Sequence, residues 1–326
     1  MKQIEFTEIG GLKVGHAQDF EAATGCTVII NEKGATVGVD VRGGAPGTRE
    51  TDLLNPVNLI QKVHAIFLAG GSAFGLDAAA GVMQYLEEKK IGFDVHVTTV
   101  PIVCGAVLFD LSIGDHRIRP DKKMGYQACL NARSTPCAQG SVGAGTGATV
   151  GKVRGLERSM KSGIGCYALE TEGLKVGAII AVNSLGDILD PVMGTKLAGP
   201  LNDDMQTVGD TEEIMIRSHS EKKDLFAGNT TIGVVATNAA LTKAQATKIA
   251  SMAHDGYART MRPAHSMYDG DTIFAMSTGE VVANQSVVGL LAARVTEKAI
   301  IAAIKEAKSL CGLKCYDDLQ LGEQVY

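Results

Sequence analysis

Hydrophobic residues along this chain occur in short β-branched runs that alternate with longer segments of helical period. The runs are bounded by Gly, Asn or Asp, a pattern typical of sheet strands. They are ATVGVDV from Ala35, AIFLAG from Ala65, LKVGAIIAVN from Leu174, TTIGVVATN from Thr230 and DTIFAMST from Asp271. We expect each run to form a strand of a sheet.

The clearest helical pattern lies between residues 241 and 261. Thr242 and Gln245 have the spacing of a capping box, and the apolar positions that follow recur on one helix face. Those positions are Ala246, Ile249, Ala250, Ala253 and Tyr257. A second long helix is predicted over 287–310. Helices that cover sheets indicate an α/β or α+β layered architecture. Since no Pro/Ser-rich linker or fixed-period repeat interrupts the pattern, we expect one domain over 1–326.

Composition and charge narrow the classes of function. The chain has 326 residues, 45% of them hydrophobic, and a formal net charge of -5. No run of five like charges is present, so neither a nucleic-acid footprint nor a basic membrane face is predicted. The start, MKQIEFTEIGG, lacks the apolar core of a signal peptide, and we expect a cytoplasmic protein. The most apolar window, from Ala65, carries Asp77 and four glycines, which favours a strand, a loop and a buried helix over a membrane span.

Cysteine usage favours free thiols. The seven cysteines are an odd number and are scattered along a chain without a secretion signal. Cys311 and Cys315 could pair as metal ligands, but no second Cys or His pair lies nearby at zinc-site spacing. We therefore predict no metal site.

The glycine-rich segment GSVGAGTGATVGKVRG, residues 140–155, resembles phosphate-binding loops only superficially. A P-loop would need Gly where Thr146 stands and a hydroxyl where Val153 stands. A looser GxGxxA pattern begins at Gly143, but no strand-turn-helix is evident around it. We expect a small-residue strand or loop and no nucleotide cofactor. Lys152 then has two interpretations, a solvated strand end or a buried charge directed into a site.

The junction AGNTTIGVVATNA raises the question of why two threonines open an apolar strand. The stretch before it, RSHSEKKDLFAG over 217–228, is predicted to be an exposed linker. A threonine hydroxyl needs a base, and the residue's own α-amine can serve if it is free. Thr230 has a free amine only if the Asn229–Thr230 bond is cut, and attack by its hydroxyl on a strained bond would cut it. The alternative is an ordinary strand start after a loop.

Six segments in fixed order carry a resemblance to the P1 peptidase family. They are DVRGGAPGTRETDLLNP from Asp40, LAGGSAFGLDAAAGVMQYLEE from Leu68, VPIVCGAVLFDL from Val100, GSVGAGTGATVGK from Gly140, NTTIGVVATNA from Asn229 and RPAHSMYDGDTIFAMSTG from Arg262. The match runs from about residue 10 to residue 300. The family contains L-aminopeptidase/D-esterase-amidases, β-peptidyl aminopeptidases and 6-aminohexanoate oligomer hydrolases.

This resemblance implies a fold, an activity and a maturation step. The fold would be an αββα four-layer sandwich akin to the N-terminal nucleophile hydrolases. The activity would be hydrolysis of a small peptide or amide without a cofactor. The precursor would cleave itself into an α chain, 1–229, and a β chain, 230–326, with Thr230 as the nucleophile. A homo-oligomer, often a tetramer in the family, is also implied.

The resemblance also assigns roles to individual side chains. Asn183 matches a donor of the oxyanion hole, and Lys152 matches a lysine beside the nucleophile. Asp269 and Asp271 match positions that face the nucleophile, although both would also suit a turn. Phe109 aligns where aminopeptidase relatives have a tyrosine that contacts substrate or oxyanion, which puts aminopeptidase specificity in doubt.

Several alternatives remain open from the residues. Ornithine acetyltransferases also use a self-released threonine, although their Ala-Thr-Met-Leu junction is absent here. A non-catalytic homologue would keep an intact chain. His265 lies four residues before Asp269, so a triad-like Thr230–His265–Asp arrangement has to be tested. The substrate could be an α-peptide, a β-peptide, a D-amide or an ω-amino-acid oligomer.

Overall fold

Strands and helices alternate along the chain, as the hydrophobic pattern predicts. The computed structural model describes residues 1–219 and 228–323. The strands are β1 Lys2–Ile4, β2 Lys13–Asp19, β3 Thr24–Val41, β4 Gly47–Arg49, β5 Val63–Ala69, β6 Phe93–Asp94, β7 Thr99–Val100, β8 Val103–Val107, β9 Thr149–Val150, β10 Met160–Lys161, β11 Ile164–Thr171, β12 Leu174–Ala181, β13 Asp187–Leu189, β14 Lys196–Ala198, β15 Ile232–Ala239, β16 Met261–Arg262 and β17 Thr272–Val281. The helices are α1 Ala78–Glu88, α2 Lys122–Leu130, α3 Thr211–Ser218, α4 Lys243–Thr260, α5 Gln285–Lys305 and α6 Tyr316–Glu323.

One long strand, β3, joins two sheets. Its first part, 24–30, pairs with β2 and β5, and its last part, 36–41, pairs with β17. The first sheet has the order β1-β11-β12-β15-β17-β3, and the second continues through β5 and β8 to β4, with β2 paired to β3. Of these neighbours, β15 with β17 and β5 with β8 are parallel, and the other pairs are antiparallel.

The alternation of side chains along the strands builds three stacked cores. In β15, Ile232, Val234 and Ala236 lie between the two sheets, whereas Val235 faces helices α4 and α5. On the second sheet, Phe67 of β5 faces helices α1 and α2. Because successive side chains of a strand point to opposite faces, each sheet is covered on both sides. The layers are therefore helix, sheet, sheet and helix, which confirms the predicted αββα sandwich.

Helix α4 forms as its sequence predicts. The Thr242 side chain accepts the backbone N–H of Gln245, and the Gln245 side chain accepts the backbone N–H of Thr242. The predicted apolar face is buried. A Cβ on Gly38 of β3 would lie 2.1 Å from the backbone nitrogen of Thr247, so the glycine allows α4 to approach the sheet closely.

The predicted strands are present with shifted ends. Strand β15 starts at Ile232, two residues after the predicted start, because the backbone of Thr230 bonds to Asn183 outside the ladder. The predicted linker over 217–228 begins within helix α3, and its part at 220–227 lies outside the described residues. Within 1–219 and 228–323, no helix has both the length and the apolarity needed to cross a bilayer. All seven cysteines are free thiols.

Strand pairing brings the predicted site residues to one edge of the first sheet. Ala181, at the end of β12, pairs with Ile232, at the start of β15. Ile232 also pairs with Thr272, at the start of β17. Segments that precede β15 and β17 and follow β12 therefore meet at this edge, and they carry Thr230, Asp271 and Asn183.

Candidate active site

The Gly228–Asn229–Thr230 junction has the unusual backbone that its sequence predicts. Gly228 has a φ of +56°, in the left-handed region that favours glycine. A Cβ at Gly228 would lie 2.3 Å from Cδ1 of the Phe109 ring. Asn229 is 1% exposed and Thr230 5% exposed, so the junction is buried. Only glycine combines this φ with the close ring contact.

The Thr230 hydroxyl is directed at the preceding peptide bond. It donates a hydrogen bond to the carbonyl oxygen of Asn229. The backbone N–H of Gly270 lies 3.1 Å from Thr230 Oγ1 and 3.2 Å from the Asn229 carbonyl oxygen. The backbone N–H of Thr230 donates to the carbonyl oxygen of Asn183 at 2.9 Å. The hydroxyl, the carbonyl of the bond to be cut and an N–H donor are therefore in one cluster.

Lys152 and Asn183 form the second part of the site. Lys152 Nζ donates to Asn183 Oδ1 at 2.7 Å, and it lies 3.3 Å from the Asn183 carbonyl oxygen and 3.4 Å from that of Gly228. Asn183 Nδ2 donates to the Phe109 carbonyl oxygen at 2.9 Å and lies 3.4 Å from the Gly228 carbonyl oxygen. In the uncut chain, the Asn183 amide thus faces the carbonyl one residue before the predicted cleavage site.

The electrostatics of Lys152 distinguish between its two predicted environments. Lys152 is 6% exposed, so it is a buried charge within the site and not a solvated strand end. Burial lowers the pKa of Lys152 to about 7, and the negative charges of Asp269 and Asp110 oppose that shift. A lysine with such a pKa can change its protonation state near neutral pH.

The two predicted aspartates differ in their contacts. Burial, and then the charge of Asp271, raise the pKa of Asp269 to about 6, while Ser266 and Lys152 oppose the rise. Asp269 accepts the backbone N–H of Ser266 at 2.6 Å. Asp271 accepts the backbone N–H of Thr231 at 2.8 Å. Asp269 therefore acts electrostatically on Lys152, whereas Asp271 holds the residue after the predicted nucleophile.

His265 does not form the triad-like arrangement. Its Nδ1 lies 2.8 Å from Asp271 Oδ2, and its ring stacks on Tyr257 and contacts the edge of His254. The Thr230 hydroxyl has backbone groups as its hydrogen-bond partners. Among the described contacts, none links His265 to Thr230.

The glycine-rich segment positions Lys152 within the site. It folds into a turn at Gly143–Gly145, the short strand β9 and a second turn, Lys152–Arg154. Thr149 of β9 donates its backbone N–H to Asn183 Oδ1 at 3.1 Å. With the Thr149 hydroxyl at 3.4 Å and Lys152 Nζ, the segment contributes three donors to the same side-chain oxygen. Within the described ranges, no group of three or more His, Cys, Asp or Glu side chains is arranged to hold a metal ion.

A cavity of about 180 Å³ opens beside Thr230. Residues from five chain segments line it: Ala45, Pro46, Gly47, Ser72, Ala73, Val107, Leu108, Phe109, Gly228, Asn229, Thr230 and Tyr268. The Phe109 side chain faces the junction here, next to Gly228. The cavity is adjacent to the bond that the Thr230 hydroxyl faces, so it can accommodate part of a substrate.

Two site groups were not predicted from the sequence. The first is the N–H of Gly270, a backbone donor between Asp269 and Asp271 for which the sequence offers only the glycine spacer. The second is Asp110, which is 4% exposed and faces Lys152 electrostatically. The sequence indicates Asp110 only as an acidic residue within the otherwise apolar run VPIVCGAVLFDL.

Comparison with known proteins gives a consistent result. The model of peptidase family S58 matches residues 5–316. An uncharacterized aminopeptidase of Mycobacterium leprae (strain TN) is 40% identical over 341 residues, which covers 95% of this chain and 92% of that protein. A 6-aminohexanoate-oligomer endohydrolase of Agromyces sp. (strain KY5R) is 34% identical over 277 residues, with coverage of 83% and 74%. These matches confirm the resemblance drawn from the sequence.

A solved structure supports the fold independently. It is the L-aminopeptidase D-Ala-esterase/amidase from Ochrobactrum anthropi, which its report describes as a variant of the Ntn hydrolase fold. The TM-score is 0.74 at 19% identity, and the match covers 98% of this chain and 93% of the other. At this identity the likeness establishes the fold alone.

Proposed function

This chain belongs to peptidase family S58, and from that premise we propose that it cuts itself between Asn229 and Thr230 and then uses Thr230 as an N-terminal nucleophile. Its general activity is hydrolysis of peptide or amide bonds, in agreement with the family and its named relatives. The observation that carries the proposal is the hydrogen bond from the Thr230 hydroxyl to the Asn229 carbonyl.

Self-cleavage follows from this contact in two steps. The Thr230 oxygen attacks the carbonyl carbon of Asn229, and the N–H of Gly270, 3.2 Å from the carbonyl oxygen, stabilises the developing oxyanion. The C–N bond then breaks, and the hydroxyl proton ends on the Thr230 nitrogen, leaving an ester. Water hydrolyses the ester to the Asn229 carboxylate and a free Thr230 hydroxyl and α-amine.

Turnover would use the new α-amine as the general base. In the uncut chain, the Thr230 nitrogen bonds to the Asn183 carbonyl oxygen at 2.9 Å, and Lys152 Nζ lies 3.3 Å from the same oxygen. A protonated Lys152 this close favours the neutral amine, because a second positive charge is disfavoured beside it. The neutral amine accepts the hydroxyl proton, Thr230 attacks the substrate carbonyl, and water releases the acyl group.

The Asn183 amide would serve as an oxyanion donor after the tail ending at Asn229 moves away. Its Nδ2 lies 3.4 Å from the Gly228 carbonyl oxygen, which belongs to the segment that cleavage releases. A substrate carbonyl entering this space would meet an amide already oriented by Phe109 and Lys152. Donors oriented before the reaction are the ones that stabilise an oxyanion most.

The lining of the cavity favours one substrate class within the family. Its described side chains, from Ala45 to Tyr268, are uncharged. An α-ammonium next to the scissile carbonyl would be poorly solvated there. The lining therefore supports an amide whose amine lies several bonds from the carbonyl, as in an ω-amino-acid oligomer, over an α-aminoacyl substrate. Phe109, in place of a tyrosine, is in line with this preference.

A panel of p-nitroanilides with L-alanyl, β-alanyl and 6-aminohexanoyl groups tests the substrate class. We expect the highest kcat/KM for the 6-aminohexanoyl compound, and an L-alanyl preference would contradict the assignment. A parallel assay with an N-acetyl amino acid and an amine acceptor tests the acetyltransferase alternative. Acyl transfer to the amine in preference to water would favour that alternative.

A further inference from the structure

The buried carboxylate of Asp110 has no part in the mechanism above. It follows Phe109 beyond the end of β8 and is 4% exposed. Its Oδ1 accepts the backbone N–H of Gly71 at 2.7 Å, and its Oδ2 accepts the hydroxyl of Thr24 at 2.7 Å. Each carboxylate oxygen therefore has a donor from a different part of the chain.

The backbone is built closely around this carboxylate. A Cβ on Gly70 would lie 1.9 Å from Asp110 Oδ2, and a Cβ on Gly147 would lie 2.5 Å from the Asp110 Cβ. Two glycines from distant segments thus leave the space that the side chain occupies. Such close approach requires glycine at both positions.

Asp110 connects two walls of the substrate cavity. Leu108 and Phe109, directly before it, line the cavity on one side, and Ser72 and Ala73 line it on the other. The bond from Gly71 to Asp110 fixes the start of the second wall, and Ser72 adds a backbone bond to Leu108 at 2.9 Å. A substitution at Asp110 would therefore alter both walls of the cavity.

The negative charge of Asp110 acts on two buried lysines. One is Lys152, which is also faced by Asp269. The other is Lys161, which is fully buried and donates to the carbonyl oxygens of Gly145 and Ala148 at 3.1 and 2.9 Å. Burial raises the pKa of Asp110 to about 6, while Gly71, Thr24 and Lys161 oppose that rise. Asp110 is thus ionised at neutral pH, where it favours the charged form of Lys152.

We propose that Asp110 is a positioning residue of the active site, which joins the two cavity walls and, together with Asp269, supplies buried negative charge that favours the ammonium form of Lys152 on Asn183. This inference rests on the proposed function, since it gives the charged Lys152 a task beside Thr230. Asp110 touches neither the nucleophile nor the bond to be cut among its described contacts, so it acts through Lys152 and Phe109.

Two variants separate charge from hydrogen bonding. Asp110→Asn keeps the shape and an acceptor for Gly71 but removes the charge. Thr24→Val keeps the charge but removes one donor. For Asp110→Asn, we expect the alkaline limb of the kcat/KM profile to move to lower pH by roughly one unit, because Lys152 loses an opposite charge. For Thr24→Val, we expect the alkaline limb to stay and the acid limb to move to higher pH, because Asp110 then binds its proton more readily.

A direct titration provides a readout that does not need activity. Lysine labelled with ¹³C at Cε is followed by NMR in a Thr230→Ala background, and the Lys152 signal is the one missing in Lys152→Met. The pH midpoint of the Lys152 titration is expected to be lower in Asp110→Asn than in the Thr230→Ala background. A midpoint or an alkaline limb that stays in place would overturn the inference, even if kcat fell. If Asp110→Asn is insoluble, an unmoved acid limb in Thr24→Val overturns the inference.

A wild-type chain that neither cleaves nor hydrolyses amides would instead refute the proposed function, while the titration still decides the Asp110–Lys152 coupling.

Discussion

Lys152 Nζ lies 2.7 Å from the side-chain oxygen of Asn183, and this contact orients the whole Asn183 amide. With its oxygen held by Lys152, the Asn183 amide directs its nitrogen toward the carbonyl oxygens of Phe109 and Gly228. Lys152 therefore orients the Asn183 amide as a hydrogen-bond donor.

Replacing Asn183 by Ala should reduce kcat by roughly a hundredfold to a thousandfold, since it removes an oxyanion donor. Asn238→Ala is the matched control. Asn238 is also buried, near the end of β15 that lies away from the site. It accepts the N–H of Lys175 and donates to the Gly173 carbonyl, each at 2.8 Å. Thermal unfolding and turnover are measured for both. We expect the two variants to lose a comparable amount of stability, and only Asn183→Ala to lose turnover. Unchanged turnover in Asn183→Ala would show that Asn183 is not part of the site.

Lys152→Met should lower turnover by on the order of a hundredfold, because the Asn183 amide loses its orienting cation and the Thr230 amine loses its charged neighbour. Lys243→Met is a control for the loss of a buried lysine. Lys243 is 4% exposed and donates to the carbonyl oxygens of Leu53, Asn58 and Ile60. Steady-state kinetics should show near wild-type turnover for Lys243→Met, and equal losses in the two variants would assign Lys152 a structural role alone.

Gly228→Ala should slow self-cleavage strongly. The new Cβ would meet the Phe109 ring at 2.3 Å in a left-handed conformation, so the junction has to shift away from the Thr230 hydroxyl. Gly279→Ala is the control, since Gly279 has a φ of +81° and nothing within 4 Å of its Cβ position. The uncut fraction is followed on denaturing gels during incubation. Cleavage of Gly228→Ala at the wild-type rate would show that the junction geometry is not required.

His265→Gln should retain cleavage and most turnover, because the α-amine is the base in this account. The pH profile should keep both limbs. Activity falls with falling pH because the Thr230 α-amine, which is the base, gains a proton, and below about 6 Asp269 and Asp110 also lose the charges that balance Lys152. It also falls as the pH rises through about 7, where Lys152 loses its proton. If His265→Gln abolished turnover in cleaved, folded enzyme, histidine would be the base.

Much of the fold could be predicted because its signals are local. Short β-branched runs bounded by Gly, Asn or Asp marked the strands around Ala35, Ala65, Leu174 and Asp271, and a helical period marked helix α4 with its capping box. The start of β15 was misplaced by two residues, because a bond from Thr230 to the distant Asn183 decides where the ladder begins.

The site was predictable only where a side chain carries the chemistry. Thr230, Lys152 and Asn183 do meet, but the burial of Lys152 depends on packing that no local pattern encodes. The donor at Gly270 is its backbone N–H, which every residue except proline has, so the residue type does not indicate it. Asp110 was missed because its partners, Thr24 and Gly71, lie 86 and 39 positions away in the chain.

The central claim is that Thr230 becomes an N-terminal residue, and intact mass of active enzyme tests it most directly. We predict two chains, 1–229 and 230–326, in place of the 34.1 kDa chain, with threonine at the start of the second. Thr230→Ala should stay uncut and inactive, whereas Thr230→Ser, which keeps a hydroxyl, should still be cut. Active wild-type enzyme that consists only of the 34.1 kDa chain would contradict the account.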